Sequence, residues 1–474
     1  MITAEELLER ERKYKLNDKE INGFQFWQYE RFHIYSSLRA LGQCDEHTNN
    51  KKVWRKLLKY YVRNGRHLKK RKSVDICFVP HPRRILNDGV YECIYTDDIA
   101  SKFSNSIMLE RFYDMQHLEP IKSSNVLYLD RTVIGANIQF LLIKKILKKH
   151  FKRVKQQIFI ELQIALEGIA TNEQVQKFTL HAVQDYYLYQ YYRRSYRKML
   201  LQLKPKLVVE VVSYSMHCMV INEICKELGI TTIEFQHGYI ERNHIAYNYI
   251  SDSMIRQFPD KLYLFGNYYK RGIRYPITQD NLITVGFPYF EREMKRHQVL
   301  EREDGRYTIV FLSQGKWTPL LSRVAVDLQE RMRGENVRVL YKLHPFEYET
   351  WRQIHPELEN SGIEVVGTGE MTLYDCLAVS DAQVGVYSTT ILEGLGFGLR
   401  TFIYNQREAA YMQNLLKMGV AELINSAQEL VEKIKQKNEG KYDIDYFWRK
   451  DAMKNMEQAL VNELEIVRKN GKHE

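Results

Sequence analysis

The sequence lacks a hydrophobic run long enough to cross a membrane, since no apolar stretch approaches the ~18 residues that a spanning helix needs. It also lacks any Cys-x-x-Cys pair, and most of its six cysteines fall in apolar runs, so we expect buried thiols in a reducing compartment. The charged opening, from Met1 to Lys19, lacks the pattern of a secretory signal. These features favour a cytoplasmic protein.

Acidic residues are missing from the run that begins at Lys51 and ends at Lys72 (residues 51–72), which holds eleven lysines and arginines. Residues 144–155 hold seven more, and together the two runs exceed the net charge of +11, so the rest of the chain is net acidic. Apolar residues at helical spacing in residues 51–72 predict a peripheral helix on the anionic inner face of the plasma membrane. A plain solvated helix face is the alternative. No sequence motif supports nucleic-acid binding.

The length of 474 residues, with 44% apolar and 12% aromatic content, predicts two packed domains. Residues 1–72 read as a helical, basic region. Residues 73–290 read as an α/β domain with a long helical insertion, and a charged stretch at 291–305 reads as a linker. Residues 306–440 read as a second α/β domain, followed by a closing helix within 441–474 that packs back.

Short β-branched runs separated by helical segments predict parallel sheets in both domains. In the first domain the predicted strands are residues 74–79, 126–129, 207–212, 231–235, 262–265 and 282–285. In the second they are residues 307–312, 337–343, 363–366, 382–386 and 401–404. The predicted fold class is therefore α/β, with two doubly wound, Rossmann-like domains and an extended helical N-terminal region.

Two predicted strands of the second domain end abruptly at polar residues. The first ends at Lys342 and is followed by His344-Pro345; the second is followed by three hydroxyl residues that begin a helix. A strand that leads into a capped helix presents free backbone N–H groups and the positive end of the helix dipole. Because α/β folds bind ligands at the carboxyl ends of their strands, these residues predict a site for a phosphorylated ligand.

These motifs resemble a known group of enzymes. The matching residues are Gln236-His237-Gly238, Lys342-Leu343-His344-Pro345, Ser380-Asp381, Tyr387-Ser388-Thr389-Thr390 and Glu393. In this order, over roughly residues 206–405, they are similar to the nucleotide-dependent glycosyltransferases and CDP-glycerol-type polymerases that build bacterial capsule, lipopolysaccharide or teichoic acid. The resemblance implies the GT-B layout, in which two doubly wound domains enclose a cleft and a final helix crosses back.

The resemblance also implies roles for residues of the second domain. Ser388, Thr389 and Thr390 would hold the donor phosphates, and His344, with Pro345 after it, would hydrogen-bond them. Lys342 would add charge, and Glu393 would accept from a ribose hydroxyl. Separately, a phosphate or base contact is expected at the loop Ser313-Gln314-Gly315-Lys316, which follows the domain's first strand. The simpler interpretation is a strand-ending turn at His344 and an N-cap at Ser388.

In the first domain, His237 is the candidate base or donor contact, flanked on the acceptor side by Gln236 and Gly238. A purely structural histidine is the alternative. Bacterial sialyltransferases of similar layout take their base from an acidic-acidic-Gly motif, and Asn87-Asp88-Gly89 is a near match, so Asp88 is the second catalytic candidate. The strict match, Glu303-Asp304-Gly305, falls in the predicted linker. Asp97, Asp98 and Glu234 are further carboxylates near predicted strand ends.

No His/Asp cluster has the spacing of a metal site, and Asp443-Ile444-Asp445 reads as a helix cap, so we expect metal-independent transfer without a cofactor. The predicted reaction moves a sugar from a CMP-, CDP- or UDP-linked donor to a cell-surface polysaccharide or lipid-linked acceptor. Three alternatives stay open: a CDP-glycerol-type polyol-phosphate transferase, a nucleotide-sugar 2-epimerase, and a non-catalytic assembly factor. The first usually carries Asp-Tyr-Ser-Ser where this chain has Val386-Tyr387-Ser388-Thr389.

Overall fold

The computed structural model describes residues 2–39, 59–62, 73–250, 254–297, 305–314, 320–369, 371–436 and 442–470. The chain forms two compact units. The first unit comprises Met1–Leu264, Tyr269–Val285 and Met453–Glu474, and the second comprises Phe265–Tyr268 and Gly286–Ala452. Each contains one parallel sheet, which confirms the predicted fold class of two Rossmann-like domains.

The first unit is built on a seven-stranded sheet in the order β5-β4-β1-β6-β7-β8-β9. The strands are β1 (Ile76–Val79), β4 (Ser106–Glu110), β5 (Val126–Tyr128), β6 (Leu207–Glu210), β7 (Thr231–Phe235), β8 (Lys261–Leu264) and β9 (Leu282–Thr284). All neighbours in it pair in parallel. A separate antiparallel hairpin pairs β2 (Ile85–Asn87) with β3 (Val90–Glu92). The chain winds outward in both directions from β1, so the sheet has a switch point between β1 and β6.

Helices cover both faces of this sheet. They are α1 (Ala4–Tyr14), α2 (Phe26–Leu38), α3 (Asp97–Ala100), α4 (Asp130–Ile146), α5 (Lys148–Ala165), α6 (Asn172–Leu203), α7 (Met216–Leu228) and α16 (Ala452–Asn470). Alternate strand residues face opposite sides, so Cys77 and Val79 join the core under α2 and α6, while Ile76 and Phe78 join the core that includes Leu460 of α16. Between β5 and β6 the chain forms three consecutive helices, α4 to α6.

Capping chemistry sets the helix starts. Thr3 and Thr171 each accept a hydrogen bond from the backbone N–H three residues on, and the side chains of Glu6 and Gln174 return one, so α1 and α6 both begin at capping boxes. Five of the six tyrosines of α6 are buried and form part of the core of the first unit: Tyr186, Tyr187, Tyr189, Tyr192 and Tyr196.

The second unit is built on a six-stranded parallel sheet in the order β12-β11-β10-β13-β14-β15. Its strands are β10 (Tyr307–Leu312), β11 (Val337–Lys342), β12 (Glu364–Val366), β13 (Ala382–Gly385), β14 (Arg400–Tyr404) and β15 (Ala421–Ile424). Its helices are α8 (Pro288–His297), α9 (Leu321–Arg331), α10 (Trp351–Ile354), α11 (Leu373–Val379), α12 (Thr389–Gly396), α13 (Gln413–Lys417), α14 (Ala427–Lys435) and α15 (Ile444–Phe447). Numbered from β10, the strand order is 3-2-1-4-5-6, the Rossmann order, with a switch point between β10 and β13.

The charged stretch predicted as a linker is corrected at its start. Residues up to His297 belong to α8, because Phe290 is buried against Trp448 with ring centroids 4.2 Å apart. His297 in turn lies 2.8 Å from the carboxylate of Asp375 on α11. Most residues of α8 are polar or charged, so the sequence alone does not indicate that one face of this helix is buried.

Two further predictions concern the cap at Asp443 and the cysteines. Asp443 caps α15, since its side chain accepts from the N–H of Asp445 at 3.0 Å, which confirms the cap interpretation. Five of the six cysteines are buried free thiols, as expected, and Cys44 lies outside the described residues. Most of residues 51–72 also lie outside them.

Candidate functional site

The switch point of the second sheet brings two predicted phosphate loops together. β10 pairs with β13 through Phe311 and Val384, so the loops that leave these strands start side by side. Ser313 follows β10, is buried, and donates its N–H to the carbonyl of Lys342 at 3.0 Å. Ser313, Lys342 and Ser388 therefore lie at one edge of one sheet. Gln314 follows in the same loop, and Gly315 and Lys316 lie outside the described residues.

Ser388 is the N-cap of α12. Its backbone is extended, and its hydroxyl accepts from the N–H of Thr390 at 3.0 Å. Thr389 and Thr390 are the first residues of the eight-residue helix, so two more hydroxyls stand at its positive end. Ser388 is therefore an N-cap, as the simpler interpretation expects. Its hydroxyl and those of Thr389 and Thr390 lie at the helix N-terminus, the position at which helices bind phosphate.

His344 caps the short helical turn Pro345–Glu347. The ring nitrogen Nδ1 accepts from the backbone N–H of Phe346 at 3.3 Å. The backbone N–H of His344 donates to Glu347 Oε2 at 2.8 Å. Since Nδ1 accepts, the neutral ring carries its proton on Nε2. The turn predicted from His344-Pro345 thus exists, and it fixes the imidazole as a donor through Nε2.

A buried hydrogen-bond chain supports this turn. Glu347 Oε1 lies 2.7 Å from Nε2 of the fully buried His355, and His355 Nδ1 lies 3.0 Å from the hydroxyl of Ser322 on α9. Burial opposes ionisation of Glu347, but hydrogen bonds from His355, Ser313 and the His344 backbone outweigh it and lower its pKa. The charged carboxylate therefore holds the backbone of His344 in place.

Lys342 is a buried cation at the end of β11. Its ammonium donates to the carbonyl of Gly367 at 2.9 Å and lies 3.4 Å from the hydroxyl of Tyr348. Among the residues that the structure describes, no carboxylate lies within ion-pair distance of it. A buried ammonium with neutral partners is an electrostatic match for an anionic ligand.

Glu393 lies one turn into α12 and accepts from the hydroxyl of Tyr374 at 3.1 Å. Burial raises its pKa to about 7, although the Tyr374 hydrogen bond acts in the opposite direction. At neutral pH this carboxyl is therefore partly protonated, and it can donate to a ligand as well as accept from one.

His237, which follows β7 in the first unit, lies among polar side chains. Its Nε2 lies 3.2 Å from the hydroxyl of Tyr214, and its Nδ1 lies 3.5 Å from both Glu234 Oε1 and the hydroxyl of Tyr247. A carboxylate beside Nδ1 favours a proton on that nitrogen and leaves the lone pair on Nε2. The lone pair on Nε2 then faces the hydroxyl of Tyr214, which can donate a hydrogen bond to it.

Glu234 is held by three neighbours. Its Oε1 accepts from the hydroxyl of Tyr247 at 2.6 Å and from the N–H of Ser213 at 3.1 Å, besides facing His237. Glu210 on the adjacent strand is also fully buried. Its pKa is raised to about 8, mainly because of burial and secondly because of repulsion from Glu234. Two carboxyls so close favour one proton between them. Glu210 is therefore mostly protonated at neutral pH.

The backbone between β6 and α7 is strained. Val212 has φ +62°, a left-handed conformation that a β-branched residue rarely adopts. It leads directly into Ser213, Tyr214 and the N-cap Ser215, so the strain fixes the loop that places the Tyr214 hydroxyl against His237. Strain of this kind collects at functional sites.

Arg111 and His81 also lie at this edge. Arg111 follows β4, its Nε is buried without a hydrogen-bond partner, and no carboxylate of the described residues pairs with it. His81 follows β1; burial, then the neighbouring His237, lowers its pKa to about 4. Its Nδ1 lies 3.0 Å from the backbone nitrogen of Arg83 and 3.3 Å from the carbonyl oxygen of Arg83. The edge of the first sheet thus offers a neutral imidazole and a guanidinium that has no carboxylate partner among the described residues.

Other candidates of the first unit have structural positions. Asp88 has φ +48° and Gly89 φ +77°, which makes Asp88-Gly89 the exposed turn of the β2–β3 hairpin. Asp97 is buried 2.8 Å from Arg84, and Asp98 lies 2.6 Å from Lys122. The ion pairs account for Asp97 and Asp98, and the hairpin turn accounts for Asp88, so we leave Asp88 out of the proposed site.

The neighbours of His237 differ in role. Gln236 is buried and donates from Nε2 to the carbonyl of Gly238 at 2.8 Å, which shapes the loop. A Cβ added at Gly238 would meet no described atom within 4 Å, so protein packing does not require this glycine.

No protein-family model and no curated protein sequence matches the chain. Solved structures do match. UDP-GlcNAc 2-epimerase from Methanocaldococcus jannaschii is 11% identical, with a TM-score of 0.46 over 82% of this chain and 99% of its own. The lipopolysaccharide outer core galactosyltransferase WaaB is 12% identical, with a TM-score of 0.42 over 82% and 99%. The wall teichoic acid polymerase TagF is 10% identical, with a TM-score of 0.42 over 95% and 99%.

The structure adds residues that the motifs did not indicate. Tyr214, Arg111 and His81 join the edge that carries His237, and Glu347 and His355 support His344. The sequence signal for Glu347 was the His-Pro-Phe-Glu capping pattern. Tyr214 and Arg111 had no local signal, because strand order alone brings them to this edge.

Proposed function

We propose that the protein transfers a sugar from a nucleotide-activated donor to a hydroxyl of a surface-polysaccharide or lipid-linked acceptor. The second unit binds the donor, and the first unit supplies His237 as the base. The observation that carries the proposal is the Rossmann switch point of the second sheet, where Ser313, Lys342, His344 and the α12 cap share one edge.

The donor phosphates suit this edge chemically. The Ser388–Thr390 hydroxyls and the positive end of α12 neutralise part of their charge, and Lys342 adds a full positive charge. The Nε2–H of His344 supplies one more directed hydrogen bond. These groups stabilise the charge that grows on the phosphate as the nucleotide leaves.

In the proposed reaction the acceptor oxygen forms a bond to the anomeric carbon of the sugar. The bond from that carbon to the phosphate oxygen breaks, and the nucleotide leaves with the bonding pair. The acceptor proton passes to Nε2 of His237, where it replaces the hydrogen bond to Tyr214. Glu234 stabilises the resulting imidazolium through Nδ1. Arg111 favours an acceptor that carries phosphate or another anionic group.

The corner between α4 and α5 supports contact with an anionic membrane. Leu141, Leu142, Ile146 and Leu147 are 52%, 52%, 70% and 50% exposed. Four exposed lysines interleave with them: Lys144, Lys145, Lys148 and Lys149. No aspartate or glutamate occurs in residues 131–160. Exposed leucine and isoleucine beside lysine match the interface of an anionic lipid surface. No helix in the described residues is long and apolar enough to span a membrane.

The transfer proposal is tested with CMP-, CDP- and UDP-linked donors, with and without a lipid extract as acceptor, followed by mass spectrometry. Acceptor-dependent nucleotide release with a new glycosidic product supports it. Isomerised donor without acceptor would identify an epimerase instead, and addition of a polyol phosphate would identify the polyol-phosphate transferase. Absence of turnover together with absence of nucleotide binding overturns the enzymatic proposal.

The membrane proposal is tested by flotation with phosphatidylglycerol vesicles at low salt. Replacement of Ile146 and Leu147 by Asp, or of Lys144 and Lys145 by Glu, should abolish flotation. The matched control changes Lys417 and Lys435 to Glu in the second unit. Equal flotation of all three variants would remove the corner from the account.

A further inference from the structure

Helices α2 and α6 of the first unit bring together a cluster of histidines and carboxylates that the proposed reaction does not use. Glu30 and His33 lie one turn apart on α2, and His181 and Asp185 lie one turn apart on α6. The nearest polar atoms of Glu30, His33 and His181 all lie within 4.8 Å of one another. We propose that these three side chains bind a zinc-class divalent metal ion, with water as the fourth ligand.

The distances suit such an ion. His181 Nδ1 lies 2.9 Å from Glu30 Oε2, and His33 Nδ1 lies 3.4 Å from the same oxygen. Ligands of tetrahedral zinc at about 2.1 Å lie about 3.4 Å from one another. Small rotations of the side chains therefore open the space for the ion without moving either helix.

Two histidines decide the class of metal. Magnesium and calcium prefer oxygen ligands, whereas neutral imidazole suits zinc, cobalt, nickel and copper. The Glu-x-x-His pair of α2 is the spacing by which helix bundles present a carboxylate and an imidazole to a bound metal. Two nitrogens and one carboxylate oxygen form a ligand set found in zinc sites.

The present contacts leave the cluster incomplete. His33 Nδ1 is buried without a hydrogen-bond partner, although it faces the Glu30 carboxylate. The two imidazole rings stack with centroids 4.0 Å apart, so two groups that can each be cationic share one small volume. A metal ion would occupy the lone pairs of both rings at once.

The carboxyl groups of the cluster also favour a bound cation. Glu30 is fully buried, and Asp185 is 14% exposed beside it. Two crowded carboxyls favour a bound cation. His33 and His181 are 31% and 44% exposed, so an ion can reach the site from solvent.

The bound ion would join α2 to α6, and through α2 it would support the site around His237. Phe32, the neighbour of His33, packs against Tyr214 with ring centroids 4.7 Å apart. The metal has no part in the transfer reaction itself, so its presence is measured without any activity assay.

The test titrates cobalt chloride into the full-length protein after removal of metals with EDTA, and follows the visible absorption of four-coordinate cobalt. One equivalent should bind, zinc should displace it, and zinc should raise the melting temperature. His33→Gln and His181→Gln should each weaken binding at least about tenfold. The control is His150→Gln, which removes a half-buried histidine of α5 that contacts Tyr187 on α6.

Two results would overturn the proposal. One is a wild-type protein that shows neither the cobalt spectrum nor a zinc-dependent rise in melting temperature at millimolar metal. In that case the cluster is only an ion pair between Glu30 and His181. The other is equal affinity of the wild type, His33→Gln and His181→Gln, which would place the metal elsewhere. If a variant fails to fold, as judged by circular dichroism, the wild-type titration still decides.

Discussion

The hydroxyl of Tyr214 lies 3.2 Å from Nε2 of His237. These residues belong to loops that follow the adjacent strands β6 and β7, and Glu234 stands on the opposite side of the imidazole ring. The arrangement defines which nitrogen accepts a proton, and it separates the roles of the surrounding residues.

His237→Gln should lower the transfer rate by about 10²–10⁴-fold, because the acceptor hydroxyl loses its base. Nucleotide affinity should stay the same, since the donor contacts belong to the second unit. Tyr214→Phe keeps the base and should lower the rate by less than His237→Gln does. Steady-state kinetics and calorimetry measure the two effects separately. Equal activity of His237→Gln and wild type would exclude His237 as the base.

Glu234→Gln should reduce the transfer rate on the order of 10²-fold, because an amide no longer stabilises the imidazolium. The same change should stabilise the fold in alkaline solution. The raised pKa of Glu210, about 8, means that wild-type stability falls as pH rises from about 4.5 through about 8. In Glu234→Gln the repulsion on Glu210 is gone, so the free energy of unfolding should fall less between pH 5 and pH 9 than in the wild type. Chemical unfolding at the two pH values measures this difference. A variant that is less stable than the wild type at both pH 5 and pH 9 would contradict the account.

Glu347→Gln should destabilise the second unit by about 1–3 kcal/mol, because it removes the charge that faces the buried His355. The lowered pKa of Glu347 means that its contribution is present above pH 4.5 and is lost as pH falls through the folded-state value. The difference from wild type should therefore narrow in acid. Glu349→Gln, an exposed neighbour, is the control. If Glu347→Gln and Glu349→Gln lost the same stability, the hydrogen-bond chain would not stabilise the second unit.

Glu393→Gln should leave stability at pH 5 unchanged and increase it at pH 9 by up to about 3 kcal/mol. The reason is the pKa of about 7: the buried carboxyl is favoured when protonated, and its stability contribution falls as pH rises from about 4.5 through about 7. Glu432→Gln, at an exposed position, should show no such pH dependence. Thermal unfolding across this range checks both. A variant equally stable to wild type at pH 9 would show that Glu393 is well solvated.

Much of the fold could be predicted from the sequence, because strong β-branched runs such as Thr231–Phe235 and Tyr307–Leu312 became strands with those bounds. The sequence does not predict the strands Ser106–Glu110 and Ala421–Ile424, since their apolar runs are short. It predicts a linker over residues 291–305, which overlaps the helix Pro288–His297, because only one face of that helix is apolar.

The site was predictable where function depends on local sequence. Ser388 and His344 form caps, and caps have a local pattern. The partners of His237 and the cluster on α2 and α6 depend on strand order and helix packing. His181 lies 151 residues from Glu30, and no spacing rule connects them.

The most direct test of the central claim is nucleotide binding at the edge of the second sheet. Thermal-shift and calorimetric titrations with CMP, CDP, UDP and GDP should show one nucleotide that stabilises the wild-type protein. His344→Asn keeps a capping side chain but loses the Nε2–H donor, so it should bind that nucleotide about tenfold more weakly, while Glu349→Gln should match wild type. Absence of stabilisation by all four nucleotides at millimolar concentration would contradict the account.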